Sequence, residues 1–556
     1  MTCSDSGIPE RLRFIRDNHG QTMERNTLYY GDCLEVMRPW HDNSIDIICL
    51  DPPFNSNERY SSPFKKSGLN IDAQIKAFDD MWRWDEAAAE RVARLTSALA
   101  NPISPVIAGF ELFIPNSKML AYTSYMAERL MEMHRLLKPT GAIYLHCDAT
   151  ASHYLKLLMD VIFGEANFRN EIIWHRTGGG GKGSQHKPKK FGASTDTIFF
   201  YAMPKHEFNG SYEPDPDAER RYPKVDEQGR RFALTSLWCR PAHDARPNLC
   251  YEWRGYKNPY PSGWMTTKEN VERLFQEGRV YFSKTGTPYR IRYIEEDKGK
   301  QVDNLWADIS PCRGKEFLGY PTQKPLALLE RIIKASSKPG ELVLDPFCGC
   351  GTTIEAARTL GRDVIGIDVL PSALDIINTE RLTQNKGIAP LKITGTPTDL
   401  ASAKRLALES RYKFQDWAIS LIKGFASNAK KSGDGGIDGF GLLTHAPDNF
   451  ASRAIVIQVK SGRVGPNDVP SFIYTMDKVN AAMGIFITMT PHRSPKDLRE
   501  AASLTPLHMG VSAYPRLQFF SVAEYYENSA QLQLPALSNP WTGKPMQGSL
   551  FDKLGK

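Results

Sequence analysis

The order of strand, turn, helix and strand between residues 342 and 368 constrains the fold of this chain more than any other feature. An apolar segment at 342–344 predicts a buried strand, and a helical pattern follows at 352–360. The turn between them contains small residues and two glycines, which let the backbone approach a ligand closely. A second strand at 364–367 ends at Asp368, and an acid at such a point binds ribose hydroxyls in nucleotide-binding folds. The pattern predicts an α/β domain with a site for a nucleoside-like cofactor.

The turn at 345–351 differs from two common nucleotide-binding motifs. It lacks the three-glycine spacing of dinucleotide-binding folds, and it lacks the Gly-Lys-Ser/Thr of phosphate-binding loops. We therefore expect a cofactor without a pyrophosphate. The residues alone also leave open that this segment is a packing turn without a ligand.

A second candidate site follows the apolar segment 46–50, which predicts another buried strand. Directly after it comes the sequence Asp51-Pro52-Pro53-Phe54. Two prolines fix the backbone at the carboxyl end of a strand, where open α/β sheets bind their ligands. The Asp51 carboxylate and the Pro52 carbonyl can accept two N–H bonds from an exocyclic amine, and Phe54 can stack on a planar base. The segment predicts a site for the amine of a nucleobase, and a rigid turn is the alternative.

The composition indicates a globular protein of several domains. The chain has 556 residues, of which 41% are hydrophobic and 24% charged, and no apolar run reaches the roughly 18 residues of a membrane span. The first residues lack the apolar core of a signal peptide, so we expect a cytoplasmic protein. Nine cysteines with scattered spacing argue against a disulfide framework. The formal net charge of +7 fits a polyanionic partner.

Between about 165 and 310 the alternation of strands and helices fades. Glycine, proline, aromatic and basic residues dominate, and the glycine run 178–181 predicts a loop. The block 175–190 has five Lys or Arg residues and no acid, which favours contact with phosphates, while a solvated loop is the alternative. Its basic residues are Arg176, Lys182, Lys187, Lys189 and Lys190.

Four segments together resemble the motifs of the beta-class DNA amino-methyltransferases. The segment 51–54 resembles their catalytic motif, and 345–351 resembles their S-adenosylmethionine loop. Residues 320–325 resemble the segment before that loop, and Gly31-Asp32 resembles an acid-bearing turn near the cofactor adenine. The catalytic motif precedes the cofactor motif by 345 − 51 = 294 residues, which is the permuted order of the beta class. The resemblance covers about 26–385.

The resemblance implies a fold, a cofactor, a partner and roles for individual residues. The fold is an α/β, permuted Rossmann-like methyltransferase with an inserted target-recognition region. The cofactor is S-adenosylmethionine, and the partner is double-stranded DNA whose target base is flipped out of the duplex. A homodimer and a separate restriction subunit are both open. The implied catalytic residues are Asp51, Pro52, Pro53 and Phe54. The implied cofactor-binding residues are Asp32, Thr322, Lys324, Asp345, Pro346, Phe347, Gly349, Gly351, Thr352 and Asp368.

A smaller α/β unit follows a predicted linker. A helix is predicted at 414–425 and strands at 455–459 and 484–488. An acid and a lysine on neighbouring strands can hold Mg²⁺ and orient a water beside a phosphodiester. The region 410–525 resembles the Mrr-like branch of the PD-(D/E)xK restriction nucleases. The resemblance implies Asp438 as the Mg²⁺ ligand, Gln458 in place of the usual Glu, and Lys460 as the catalytic lysine. Gln415 stands where many relatives have a helix acid, and a unit that only binds DNA is the alternative.

These patterns predict domain boundaries and a function. The boundaries are 1–164 and 311–388 for the catalytic and cofactor halves of the methyltransferase, 165–310 for the target-recognition insert, 389–408 for a linker, 409–527 for the nuclease-like domain and 528–556 for a tail. An Asp rather than a Ser at the start of the catalytic motif points in this family to N6 of adenine. We therefore expect a site-specific adenine-N6 DNA methyltransferase in a restriction-modification context. The alternatives are methylation of cytosine N4, a single-chain enzyme that also cleaves DNA with Mg²⁺, methylation of RNA, and DNA binding without catalysis.

Overall fold

A computed structural model describes most of the chain. The described residues are 23–53, 82–97, 102–176, 193–210, 212–213, 215, 217–239, 246–314, 316–318, 320, 322–384, 386–428, 436–449, 452–539 and 545–546. The chain divides into two compact units, one formed by 1–209 with 304–556 and the other by 210–303. Across the described ranges, every helix is too short or too polar to cross a membrane.

Helices occur along the whole described chain, and most have one apolar stripe that is buried. They are α1 Cys33–Met37, α2 Glu86–Ser97, α3 Ser104–Phe113, α4 Lys118–Leu136, α5 Ser152–Phe163, α6 Ala218–Arg221, α7 Lys268–Gln276, α8 Leu326–Ser336, α9 Thr352–Thr359, α10 Pro371–Ile376, α11 Leu400–Glu409, α12 Arg411–Ser420, α13 Asp468–Lys478, α14 Pro495–Ser503 and α15 Val522–Tyr526.

Strands alternate with these helices in the larger unit and dominate the smaller one. They are β1 Thr27–Tyr30, β2 Ile45–Leu50, β3 Leu137–Cys147, β4 Phe168–His175, β5 Thr195–Ala202, β6 Tyr212–Glu213, β7 Lys224–Val225, β8 Arg231–Ser236, β9 Glu252–Trp253, β10 Tyr256–Lys257, β11 Val280–Phe282, β12 Pro288–Tyr293, β13 Lys300–Gln301, β14 Leu305–Trp306, β15 Leu342–Asp345, β16 Asp363–Asp368, β17 Lys392–Thr394, β18 Phe425–Ser427, β19 Gly439–Leu443, β20 Ala454–Lys460, β21 Met483–Thr488, β22 Leu507–Met509, β23 Ser512–Tyr514, β24 Leu517–Ser521 and β25 Leu537–Ser538.

A nine-stranded sheet forms the centre of the larger unit, in the order β14-β4-β5-β3-β2-β15-β16-β1-β17. Each neighbouring pair is parallel except the two pairs that include β5. All residues of β2 and β15 are buried, because a parallel sheet is covered on both faces. The predicted α/β class is confirmed, and the predicted strands at 46–50, 142–147, 342–344 and 364–367 correspond to β2, β3, β15 and β16.

The C-terminal part of the larger unit has its own mixed sheet. Its order is β18-β19-β20-β21-β24, with β25 paired to β19. The strands β20, β21 and β24 are parallel, and the other pairs are antiparallel. Phe414 and Trp417 of α12 pack into the apolar core beside β20 and β21. The predicted strands at 455–459 and 484–488 are confirmed, while the predicted helix 414–425 is α12, which ends at Ser420 before β18 begins.

The smaller unit, 210–303, is mainly antiparallel. It contains a four-stranded sheet in the order β11-β12-β8-β7 and the two-stranded ribbons β9-β10 and β6-β13. Its apolar core is aromatic, because Trp253 and Trp264 are almost fully buried and lie edge to face. The indole Nε1 of Trp253 donates to Glu272 of α7 at 2.7 Å, which ties the helix to this core.

The domain boundaries stay a prediction, and the structure adds three observations about them. Within the predicted insert 165–310, β4 and β5 belong to the central sheet, and the separate compact unit covers 210–303. The predicted linker 389–408 contains β17, which pairs with β1, and most of α11. The first described residues of the predicted tail lead to β25 in the C-terminal sheet. The helix predicted at 371–382 is α10 followed by the π-helical segment Ile377–Gln384.

Candidate active site

The carboxyl ends of β2 and β15 lie side by side in the central sheet. Val343 pairs with Ile47, and Leu344 pairs with Ile48, in parallel register. Because the two strands run in the same direction, the residues that follow them leave the sheet at the same edge. Asp51 and the turn that begins at Asp345 therefore meet there, although they are far apart in the sequence. This edge is the candidate active site.

The two carboxylate oxygens of Asp51 have different surroundings. Its Oδ2 pairs with the Nζ of Lys324. Its Oδ1 is buried and accepts no hydrogen bond from the described residues. A buried acceptor without a donor is costly, so its position is suited to a donor that arrives with a ligand. Pro52 is buried and Pro53 half-buried, while Phe54 lies outside the described residues.

A buried histidine and a second carboxylate lie behind Asp51. Nδ1 of His146 is 3.7 Å from Oδ1 of Asp51, and Nε2 of His146 is 3.2 Å from Oδ2 of Asp196. The other oxygen of Asp196 is 3.3 Å from Nε of Arg176. Burial raises the pKa of Asp196, but the hydrogen bond from His146 and the nearby positive charges outweigh it and lower the pKa. The result is a row of polar side chains from Lys324 through Asp51, His146 and Asp196 to Arg176.

The glycine turn after β15 needs glycine for steric reasons. Oδ1 of Asp345 accepts from the Phe347 amide at 3.0 Å and closes the start of the turn. Gly349 and Gly351 have φ values of +47° and +77°, which side chains rarely adopt. A Cβ on Gly351 would lie 2.5 Å from Cγ1 of Ile377, so the turn passes close to the following helical segment.

Asp368 joins three segments of this edge. Its Oδ2 accepts from the Gly349 amide and its Oδ1 from the Leu370 amide, both at 2.8 Å. Its backbone carbonyl accepts from the Gly31 amide at 3.0 Å. Asp368 therefore fixes the glycine turn relative to the ends of β16 and β1, and its predicted contact with a cofactor ribose stays a prediction.

Two buried carboxyl groups of this edge have raised pKa values. Burial raises the pKa of Asp345 to about 7 and the pKa of Asp368 to about 6. The negative charges of Asp51 and Asp368 raise the pKa of Asp345 further. Groups that repel one another's charge in this way are stabilised by a positive ligand.

The other predicted cofactor residues take varied positions. Pro346 and Thr352 are buried, and the Thr352 hydroxyl donates to the Lys324 carbonyl at 3.2 Å. Phe347 packs against the main apolar core. Thr322 is exposed, with φ at +66°. Their roles toward a cofactor stay predictions.

Asp32 serves as the N-cap of α1. Its Oδ1 accepts from the Leu34 amide at 2.9 Å, and its Oδ2 pairs with Nη2 of Arg129 at 2.5 Å. Arg129 is buried, so this ion pair anchors the turn after β1 to α4. The predicted contact of Asp32 with the cofactor adenine stays a prediction.

Of the predicted phosphate-binding residues, Arg176 alone belongs to the described part of the chain, and it pairs with Asp196. Lys182, Lys187, Lys189 and Lys190 lie outside the described residues. The predicted contact of this block with DNA therefore stays a prediction.

The predicted nuclease residues meet at one end of β19 and β20. Oδ2 of Asp438 accepts from the Val459 amide at 2.7 Å, which places it beside β20. Oε1 of Gln458 is buried and has no hydrogen-bond partner among the described residues. Nζ of Lys460 pairs with Oδ1 of Asp468 at 2.9 Å. Within the described residues, no group of three or more His, Cys, Asp or Glu is arranged to hold a metal.

Three polar residues of these sites were missed by the sequence analysis. His146 and Asp196 stand in the apolar strands β3 and β5, and Asp468 begins α13. A charged or titratable residue at an otherwise buried strand position is a usable signal, because burial of such a group needs a partner. For His146 and Asp196 that signal was present in the sequence, at positions next to apolar neighbours.

The fold and this edge define an α/β protein whose candidate site lies at the carboxyl end of a mostly parallel sheet, where such folds bind their ligands. Residues 45–379, more than half of the chain, match the family model of the N6/N4 DNA methylases, and the chain belongs to this family. Residues 409–503 match the restriction endonuclease model of the Mrr catalytic domain. Both resemblances predicted from the motifs are confirmed.

Curated relatives agree with this assignment. The chain is 35% identical over 255 residues to the type II methyltransferase M.EcaI of Enterobacter cloacae, covering 45% of this chain and 54% of the relative. It is 28% identical over 360 residues to the Mod subunit of the type III restriction-modification enzyme StyLTI of Salmonella typhimurium, covering 61% and 50%. The chain thus spans about half the length of these relatives. The crystal structure of the M1.HpyAVI–SAM complex has a TM-score of 0.29 and 16% identity, covering 63% of this chain and 97% of that one.

Proposed function

We propose that this chain is a site-specific DNA methyltransferase that transfers a methyl group from S-adenosylmethionine to N6 of an adenine. The observation that carries the proposal is the buried Oδ1 of Asp51, which accepts no hydrogen bond from the described residues and lies at the edge that also holds the glycine turn. A donor with two N–H groups, which the exocyclic amine of a base provides, matches an acceptor in this position. Membership of the DNA methylase family supports DNA as the substrate.

The residues present fit the cofactor. Gly349 and Gly351 let the turn pass close to Tyr320 and Ile377, where a Cβ would be crowded, and a glycine backbone can also lie close to a ligand. Asp345 and Asp368 supply carboxylates beside it, and they would hold the cofactor's positive charge and its ribose. When bound, S-adenosylmethionine supplies a methyl group on a positively charged sulfonium.

The chain's own residues orient the target amine. Oδ1 of Asp51 and the carbonyl of Pro52 would accept the two N–H bonds, which turns the nitrogen lone pair away from the ring. Lys324 holds Oδ2 of Asp51 and so fixes the carboxylate plane. A base inside a duplex cannot reach a carboxylate at a sheet edge, so the target base must leave the stack.

The base itself follows from the catalytic motif. The Asp at position 51 favours adenine, and the N4 amine of cytosine is the second candidate because it presents the same pair of N–H groups. Modified-base sequencing of DNA from a methylation-free host that expresses the chain tests the proposal. We expect N6-methyladenine at one short motif. N4-methylcytosine would overturn the choice of base, and unmodified DNA with a folded protein would overturn the function.

We propose a second activity, DNA cleavage, for the C-terminal domain. It is supported by the placement of Asp438, Gln458 and Lys460 at one end of two adjacent strands. Asp438 and Oε1 of Gln458 would hold Mg²⁺, which activates a water and stabilises charge at a phosphodiester. The chain would then be a single-polypeptide restriction-modification enzyme. The test is whether it cleaves DNA that carries its recognition motif in unmethylated form.

We also propose that the compact unit 210–303 is the centre of the target-recognition region. It is a separate aromatic-cored unit inserted between the two halves of the methyltransferase sequence. Replacing 210–303 by the corresponding segment of a relative with another motif should change the methylated motif. An unchanged motif in an active chimera would contradict this role.

We also propose that the chain assembles, either as a homodimer or with a separate restriction subunit. The mass of the purified enzyme, with and without DNA, tests both forms of assembly.

A further inference from the structure

We infer that His146 and Asp196 form a buried proton-accepting pair behind Asp51, which takes up the proton that the target amine releases during methylation. This inference rests on the proposed methyltransferase function. His146 does not contact the substrate in this proposal and acts only through Asp51.

The placement of the pair follows from the single reversed strand of the central sheet. His146 lies near the end of β3 and pairs in register with Ile198 of β5. Because β5 is antiparallel, its first residues lie at the edge where β2 and β3 end. Asp196 is two residues from Ile198, so it lies on the same face as His146. The side chains of His146 and Asp196 are only 6% and 5% exposed.

The hydrogen bond to Asp196 fixes the tautomer of the neutral ring. An ionised carboxylate only accepts, so Nε2 of His146 carries the proton and donates to Oδ2 of Asp196. Nδ1 is then an acceptor that faces Oδ1 of Asp51 across 3.7 Å. Two acceptors at this separation are arranged to share an added proton, and catalytic hydrogen bonds of this kind tighten when substrate binds.

The chemical step explains where that proton comes from. The lone pair of the amine nitrogen forms the new N–C bond, while the methyl–sulfur bond breaks and its electron pair stays on sulfur. The methylated nitrogen then carries one proton too many. Oδ1 of Asp51 accepts this proton and passes it to Nδ1 of His146, since an ordinary imidazole is a stronger base than an ordinary carboxylate. The imidazolium is stabilised by Asp196 and returns the proton to solvent after the product leaves.

Charged groups from four segments surround the imidazole ring. Asp51 follows β2 and Asp196 belongs to β5, and both are acidic. Lys324 precedes α8 and pairs with Asp51, and Arg176 follows β4 and pairs with Asp196. Trp174 of β4 lies edge to face with the ring of His146, with ring centroids 5.8 Å apart.

Single-turnover methylation between pH 5 and 9, at saturating S-adenosylmethionine and DNA, tests the pair. The variant His146→Gln keeps an amide near the position of Nε2 and so keeps the contact with Asp196, but it cannot accept a proton beside Asp51. We expect the wild-type rate to rise with pH to a plateau. We expect His146→Gln to lower the plateau by roughly 10²-fold and to remove the pH-dependent limb, with cofactor binding by calorimetry unchanged.

A matched control comes from a second buried histidine–carboxylate pair. His492 and Asp497 of the C-terminal domain are 2.8 Å apart, with exposures similar to those of His146 and Asp196. His492→Gln should retain the wild-type rate and pH profile. If His146→Gln unfolds, Asp196→Asn provides the second test, and it should move the pH-dependent limb because the imidazolium loses its partner.

A readout that does not need activity is the titration of histidine-labelled enzyme by NMR. The chain has 12 histidines, and His146→Gln identifies the signal of interest. We expect Asp51→Asn and Asp196→Asn each to shift the midpoint of that signal. A wild-type pH profile in His146→Gln, or a midpoint that neither variant moves, overturns the pair alone. A wild-type enzyme that makes no methylated product overturns the proposed function itself.

Discussion

The Nζ of Lys324 forms an ion pair with Oδ2 of Asp51, across 273 residues of sequence. The contact occupies one carboxylate oxygen, while Oδ1 is buried and accepts no hydrogen bond from the described residues. Lys324 was predicted as a cofactor residue, and that role stays a prediction. The structure adds that its ammonium pairs with Asp51, so we expect this lysine to orient the carboxylate.

Removal of the Asp51 carboxylate should stop methylation without loss of the cofactor. We expect Asp51→Ala to lower the single-turnover rate by roughly 10²–10⁴-fold, because the amine loses its acceptor, while S-adenosylmethionine binding stays within a few fold. Lys324→Met should cause a smaller loss, because the carboxylate remains but is no longer held. Filter-bound methyl transfer and calorimetry measure the two effects. Loss of cofactor binding in Asp51→Ala would contradict the assigned role.

Cofactor affinity should weaken as the pH falls from 8 to 5.5. Burial raises the pKa of Asp345 to about 7 and of Asp368 to about 6, so both carboxylates become neutral across this range. A neutral site no longer attracts the sulfonium, and each pH unit below a linked pKa costs up to about tenfold in affinity. Calorimetric titration at several pH values measures the effect.

The control for this dependence is S-adenosylhomocysteine, which has the same adenosine and amino-acid groups without the sulfonium charge. Its affinity should change less over the same pH range. If the affinities of both ligands changed equally with pH, the carboxylates would not face the sulfonium. The proposed position of the sulfonium beside Asp345 and Asp368 would then be wrong.

The same shift predicts the pH dependence of stability. A carboxyl group whose folded pKa is raised contributes stability below its ordinary pKa, and this contribution is lost as the pH rises through the folded value. For Asp345 the loss occurs between about 4 and about 7. We therefore expect Asp345→Asn without cofactor to melt at a higher temperature than the wild type at pH 8, with the gap closing by pH 4. If Asp345→Asn melted at a lower temperature than the wild type at pH 8, the ionised Asp345 carboxylate would be stabilised by a positive partner in the folded protein.

The sequence predicted six strands of the two sheets because their apolar runs are local signals, and these are β2, β3, β15, β16, β20 and β21. The strands β2 and β15 are fully buried, so their residues form continuous apolar segments that need no knowledge of the fold. The turn at 345–351 was predicted from its small residues and two glycines, and the structure adds the positive φ values and the close approach of Ile377. Short edge strands such as β17 were missed, because three residues with half-exposed side chains carry no periodic signal.

The His146–Asp196 pair could not be predicted, because it depends on strand order and direction. In sequence the two residues are 50 apart, and they meet only because β5 runs against its neighbours. Likewise, the partner of Lys460 is set by how α13 starts after β20, and a local pattern does not contain that geometry. Sequence motifs therefore identify candidate residues, while the order and direction of the strands decide which of these residues are in contact.

Substitution of Gly351 separates steric crowding from backbone strain. Gly351→Ala must place a Cβ 2.5 Å from Cγ1 of Ile377 at a φ of +77°. Gly340→Ala has the same kind of φ, +83°, with nothing within 4 Å of its Cβ. We expect about 1 kcal/mol of destabilisation in the control from the left-handed backbone, and a further ~1–3 kcal/mol in Gly351→Ala from overpacking. Denaturant unfolding measures the free energy of unfolding of both variants. Equal decreases would mean that the contact with Ile377 adjusts to the added Cβ without a further cost.

Cleavage by the C-terminal domain should depend on Lys460 and leave methylation intact. Lys460 lies beside Asp438 and Gln458 at the end of β20, where it would stabilise charge on the phosphodiester. We expect unmethylated DNA that carries the motif to be cut with Mg²⁺ but not with EDTA, and Lys460→Ala to lower this rate by roughly 10²-fold or more. Lys478→Ala, at the exposed end of α13, serves as the surface control and should cut normally. Intact DNA with the wild-type enzyme in both Mg²⁺ and Mn²⁺, or normal cutting by Lys460→Ala, would remove the nuclease proposal and leave a domain that only binds DNA.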